Sequence, residues 1–182
     1  MNADLKNFRE WYVYTLNGMY PRRESGIAVF ILSLPLLERY LRQKNGLTPS
    51  DGLSDACMTD LYNLFGALAN VQVARKFWNV YRNGFLHEAT LSLKTSGGKD
   101  LPVGVLSHDI QDAITVEANG SFLVHPVLFS QCVIQVIEKN FAVFSGAGTS
   151  LPTVNRYKLI PEPPSGPHFY EGTSAAWVPK KP

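Results

Sequence analysis

The sequence predicts a mainly helical protein: an antiparallel helical bundle, then a small C-terminal antiparallel β extension and one further helix. Three observations predict it. Apolar residues recur at three- and four-residue steps over most of the first half of the chain, the spacing of one buried helix face. After His87 the pattern changes to short alternating runs around Ala118-Asn119-Gly120, a hairpin signal. Pro126 then precedes a last apolar stripe of helical spacing, and proline suits the first position of a helix.

The first helix is expected over 4–20, on Leu5, Phe8, Trp11, Tyr12, Leu16 and Met19, and Pro21 stops it. The second runs over 27–44, with Asn45-Gly46 as its stop. Its N-terminal half is apolar nearly all round, which suggests a central position, and Pro35 is expected to kink or split it. A loop with Pro49, Asp51 and Gly52 follows, and Ser54 or Asp55 can cap the third helix. That helix carries Cys57, Leu61, Leu64, Phe65, Leu68, Val71, Ala74, Phe77, Trp78 and Tyr81, with a break expected near Ala69-Asn70. Helices of this kind joined by short connections give an antiparallel bundle.

Strands are expected at 90–94, 103–106, 114–117 and 122–125, with a turn at Ser96-Gly97-Gly98-Lys99. The last helix buries Phe129, Cys132, Val133, Val136, Ile137 and Phe141 and ends before Gly146. From Ser150 prolines dominate, interleaved with Tyr157, Phe169, Tyr170 and Trp177, the composition of an extended tail. The expected organisation is a bundle over 1–89, a sheet with a helix packing on the bundle over 90–146, and a tail over 147–182.

Composition excludes several classes. The chain has 182 residues and an ordinary 45% of hydrophobic ones, enough for one core and too many for general disorder. A formal net charge of +2 with scattered Lys and Arg gives no basic tract to hold nucleic acid by bulk electrostatics. Cys57 and Cys132 share no ligand spacing with each other or with histidine, so no zinc site is expected, and two free thiols suit a reducing compartment. The polar, mixed-charge start and the shortness of the apolar run 27–37 read as a soluble, cytoplasmic chain without a membrane span. Asn119-Gly120-Ser121 reads as a turn rather than a glycosylation site, Ser96-Gly97-Gly98-Lys99 lacks Walker spacing, and no cofactor-binding motif occurs.

The chemistry concentrates in Phe77 to Leu91, where Arg82 and His87 lie five residues apart with Asn83 directly after the arginine. A guanidinium is a permanent planar fork that suits phosphate. An imidazole titrates near neutrality and moves protons. Together they suit phosphodiester cleavage without metal: His87 activates a ribose 2′-hydroxyl or protonates the leaving oxygen, Arg82 stabilises the phosphorane-like transition state, and Asn83 orients either group. Five steps on an ideal α-helix leave roughly 140° after full turns, so the pair needs a distortion or a helix end, and Gly84 is placed for one. One copy of the pair makes a sparse site, whereas two copies facing each other make a plausible one. A plainer alternative is that Arg82 pairs with an acid such as Glu88 and that His87 caps a helix C-terminus. His108 reads as a surface loop residue, His125 as part of the start of the last helix, and His168 as part of the tail.

Arg82-Asn83-Gly84-Phe85-Leu86-His87 resembles the R-x(4–6)-H motif of the HEPN superfamily, including the polar residue after the arginine. The resemblance covers roughly residues 4–90 and leaves the part after Thr90 unexplained. It implies a helical bundle that dimerises so that two motifs form one cleft. Its implied activity is metal-independent endoribonuclease, as in toxin–antitoxin, phage-defence and RNA-processing systems. Arg82 and His87 would be the catalytic pair and Asn83 the supporting residue, with no cofactor and no metal. The implied partners are a second copy, RNA, and a cognate antitoxin or nucleotidyltransferase-like protein. Some members have lost catalysis, so a non-catalytic interaction or RNA-binding module is the alternative.

Overall fold

The computed structural model describes residues 3–85 and 104–146, all of them within the unit Met1–Leu151. The strand expected at 90–94, the turn at 96–99 and the Pro-rich tail lie outside the described residues.

The first helical run is built of α1 (Ala3–Phe8), a π-helical turn (Arg9–Val13) and α2 (Tyr14–Met19). It buries Phe8 and Leu16 completely. After a short 3₁₀ turn (Arg23–Ser25), α3 runs from Gly26 to Lys44 and buries Val29, Phe30, Leu34, Leu36, Leu37, Tyr40 and Leu41. Of the two outcomes expected of Pro35, the split does not occur: α3 runs unbroken from Gly26 to Lys44. Proline removes the hydrogen bond to the carbonyl of residue i−4, here Ile31. Both residues lie on the exposed side, where a freed carbonyl can turn to solvent, while the buried side of α3 is held by its neighbours.

The expected third helix is two. α4 (Asp55–Leu64) ends at Phe65, a 3₁₀ turn (Gly66–Leu68) follows, and α5 (Val71–Trp78) begins afresh. Phe65, at φ −121° and ψ 87°, leaves the helical region and ends α4, and Ala69 at φ 57° closes the 3₁₀ turn. Both starts are capped: Ser54 Oγ accepts the Cys57 N–H, and Asn70 Oδ1 accepts those of Gln72 and Val73. Beyond Trp78 the chain continues as a π-helix, Asn79–Phe85, so the distortion expected near Gly84 is a widening of the helix.

Three short strands follow: β1 (Gly104–Leu106), β2 (Ile114–Val116) and β3 (Phe122–Val124). β2 and β3 form the expected antiparallel hairpin. Its turn places Gly120 at φ 85°, and Asn119 Oδ1 accepts the Ser121 N–H. The sheet is not wholly antiparallel, however. Its order is β1-β3-β2, and β1 runs parallel to β3. Two chain reversals separate β1 from β3, so both point the same way. β3, with Phe122 and Val124 buried, takes the centre.

α6 (Pro126–Lys139) starts at the expected proline, and α7 (Phe141–Ser145) completes the described chain. α6 lies along α3, their most extensive contact being with each other. One aromatic cluster joins the elements. The Phe129 ring of α6 is 4.9 Å from Phe30 and 5.1 Å from Phe65, Phe77 is 4.8 Å from Tyr81, and Phe122 of β3 is 5.6 Å from Phe77. Such pairs contribute about 0.5–1.5 kcal/mol each beyond the area they bury.

Candidate functional site

Arg82 and Asn83 sit midway along the π-helical segment, and Tyr81 fixes that segment to the sheet. Tyr81 is fully buried. Its O–H faces the carbonyls of Val105 (3.0 Å) and Phe122 (2.9 Å), and its oxygen accepts the Val105 N–H (3.0 Å). Burial pushes its ionisation well above the ordinary tyrosine range, so it stays a neutral phenol. Gly104 is glycine for the same reason: a Cβ there would come within 2.8 Å of Val80 and 2.9 Å of Tyr81.

With Tyr81 turned inward, Arg82 and Asn83 face a cleft of about 410 Å³. Its wall includes Glu38 and Arg42 of α3, Arg75 and Trp78 of α5, and Asn79. Arg82 Nε donates to Glu38 Oε2 at 3.3 Å, and Arg82 Nη1 donates to Asn83 Oδ1 at 3.3 Å. Asn83 Nδ2 in turn donates to Asn79 Oδ1 at 3.2 Å. The other Glu38 oxygen accepts from Arg42 Nε (3.0 Å) and Nη2 (2.8 Å). Arg42 Nη1 donates to the carbonyls of Thr48 and Asp51, which ties the loop before α4 to the wall. The Asp51 carboxylate accepts from the Thr48 N–H and hydroxyl, and these bonds hold its pKa below the usual value. Arg75 pairs with Asp55 at the start of α4.

The widened helix bears on the Arg82–His87 spacing. A π-helical turn bonds residue i to residue i+5, and the described segment ends at Phe85, two residues before His87. His87 lies outside the described residues, as does Glu88. Among the described residues Arg82 meets the acid Glu38, on another helix.

No family model, curated protein or solved structure matches the chain. The site therefore stands on its own residues.

Glu38, Arg42, Arg75 and Asn79 were not read as site residues from sequence. The Glu38–Arg42 pair is i,i+4, a spacing visible in sequence; its meeting with Arg82 depends on how α3 packs. A larger cleft, about 540 Å³, lies between α2 and α6 and is lined by Asn17, Tyr20, Gln111, Gln131, Gln135 and Glu138 among others. Its charged lining groups, Asp112 and Glu138, are acids, and Glu138 is paired with Arg9 at 2.7 Å. Cys132 also lines it, with its thiol pKa raised by burial, which disfavours the nucleophilic thiolate. Among the described residues no three of His, Cys, Asp and Glu come together as metal ligands, and no helix is long and apolar enough to cross a membrane.

His108 and His125 form a pair, with ring centroids 5.1 Å apart. His125 Nδ1 accepts the Leu128 N–H and so caps α6, a bond that needs that nitrogen unprotonated. Asp109, paired with Arg23, also faces the pair. Burial, and then the neighbouring His108, lower the pKa of His125 from its ordinary 6.5. A lowered folded-state pKa gives stability that is present above 6.5 and lost as pH falls through the folded value. Urea midpoints measured on both sides of that value are expected to drop on the acid side, and His125→Asn, which can still cap, is expected to reduce the drop. A wild-type midpoint that does not move would contradict the account.

Proposed function

We propose that the chain is a metal-independent endoribonuclease of HEPN type, cutting single-stranded RNA with Arg82 and His87 where two copies face each other. The observation that carries this reading is the setting of Arg82. It sits on a helix widened to a five-residue repeat, in a cleft with Arg42 and Arg75, oriented by Asn83 and Glu38. In the reaction one His87 takes the proton of a ribose 2′-hydroxyl as that oxygen attacks phosphorus. The His87 of the second copy gives a proton to the departing 5′-oxygen. Arg82 neutralises the charge that builds on the equatorial oxygens. Partners in this reading are RNA, a second copy, and a cognate antitoxin or nucleotidyltransferase-like protein.

A second reading is a non-catalytic binding module on the same bundle. It is favoured by the Arg82–Glu38 ion pair, which is also what a purely structural arginine would make. Incubating single-stranded RNA with the purified chain and a chelator separates the two. The nuclease reading expects cutting that grows faster than linearly with protein at concentrations where the dimer dissociates. Intact RNA across pH and salt supports the binding module.

A further inference from the structure

We propose that Glu38 stands in for phosphate, and that a phosphodiester of bound RNA takes its place on Arg82 and leaves it on Arg42. The inference rests on the reading of this cleft as the RNA site. The bond lengths show which half of the bridge is the weaker. Oε1 makes two bonds to Arg42, at 3.0 and 2.8 Å, within one helix; Oε2 makes one to Arg82, at 3.3 Å, between elements. Glu38 is largely shielded, its side chain 16% exposed, and Arg82 more open at 31%. An incoming anion therefore meets Arg82 first. A guanidinium accepts a phosphate in the same forked geometry as a carboxylate. Of the other charged groups on the wall, Arg75 is paired with Asp55 and Asp51 is bonded to Thr48, so the exchange falls on Glu38, Arg42 and Arg82. Among the described residues Glu38 is thus the acid that competes with an anion at Arg82. It holds the guanidinium in position and keeps the cleft from retaining every passing anion.

The test is binding, so it reads separately from cleavage. Full-length wild type, Glu38→Gln and Glu38→Asp are titrated with inorganic phosphate and with a 2′-O-methyl oligonucleotide, which cannot be cut. Gln keeps the length and an acceptor for Arg42 but removes the charge. Asp keeps the charge but, being shorter, withdraws from Arg82. Removing one negative charge from beside the bound anion is expected to tighten binding about tenfold for Gln, with a smaller gain for Asp. Adding Arg82→Ala to Glu38→Gln is expected to erase the gain. Unchanged or weaker binding in the folded variants, or a gain that survives Arg82→Ala, would overturn the proposal. If Glu38→Gln does not fold, Glu38→Asp decides alone. Tighter phosphate binding by a chain that cuts no RNA would keep this inference and remove the nuclease reading.

Discussion

Arg82→Ala is expected to lower RNA cleavage by about 10²–10³-fold, the usual loss when one group that stabilises transition-state charge is removed. The fold should survive. Glu38 keeps its two bonds to Arg42, so no carboxylate is left buried alone, and the lost Arg82–Glu38 pair is partly exposed. Such a pair contributes under about 1 kcal/mol, which a urea titration would register as a small shift. Arg82→Lys keeps the charge but loses the fork and the Nε bond to Glu38, so it should fall between wild type and alanine. The split is what distinguishes a catalytic arginine from a structural one. Steady-state rates and urea midpoints on the same preparations check it, and a variant that loses stability while retaining the wild-type rate would place Arg82 in the scaffold.

Tyr81→Phe is expected to act the other way round, through the fold first. The phenol oxygen is the partner of the Val105 N–H and faces the carbonyls of Val105 and Phe122. Phenylalanine fills the same space in the aromatic cluster and leaves these groups without that partner. The Phe122 contact is buried and the two Val105 contacts half-buried; a buried polar group left unsatisfied costs about 1–3 kcal/mol. The same oxygen holds the π-helical segment against β1 and β3, so Arg82 loses its fixed position and activity falls as well. Denaturant unfolding should show the loss of stability, and saturating substrate should not restore the rate. A variant as stable as wild type would mean that the tether contributes nothing.

The two substitutions also mark where sequence reasoning reached and where it stopped. Local signals were legible: the apolar steps of the helices, the capping Ser54, the Asn119-Gly120 turn, and Pro126 at the start of α6. Each depends on residues a few positions apart. The break in the third helix was legible near Ala69-Asn70, though not that α4 already ends at Phe65 and that a 3₁₀ turn closing at a positive-φ Ala69 precedes α5. What depends on packing was not legible. A hairpin signal reads β2 with β3 but carries nothing about β1 joining β3 on its other edge. Glu38 meets Arg82 across 44 positions, and His108 meets His125 across 17. The π-helix has no compositional mark; it was visible only as a difficulty, in that Arg82 and His87 stand at a spacing an α-helix serves badly. Whether Pro35 splits the helix was not legible, because its cost depends on which side of the helix it faces, and that side is exposed.

The most direct measurement is the chemistry of the ends left on cut RNA. Attack by a 2′-hydroxyl forms a bond from that oxygen to phosphorus and breaks the bond to the 5′-oxygen. The account therefore predicts that the purified chain, in chelator, leaves 2′,3′-cyclic phosphate and 5′-hydroxyl ends, and that a strand lacking 2′-hydroxyls stays whole. RNA left intact, or cut to 5′-phosphate ends, would contradict it.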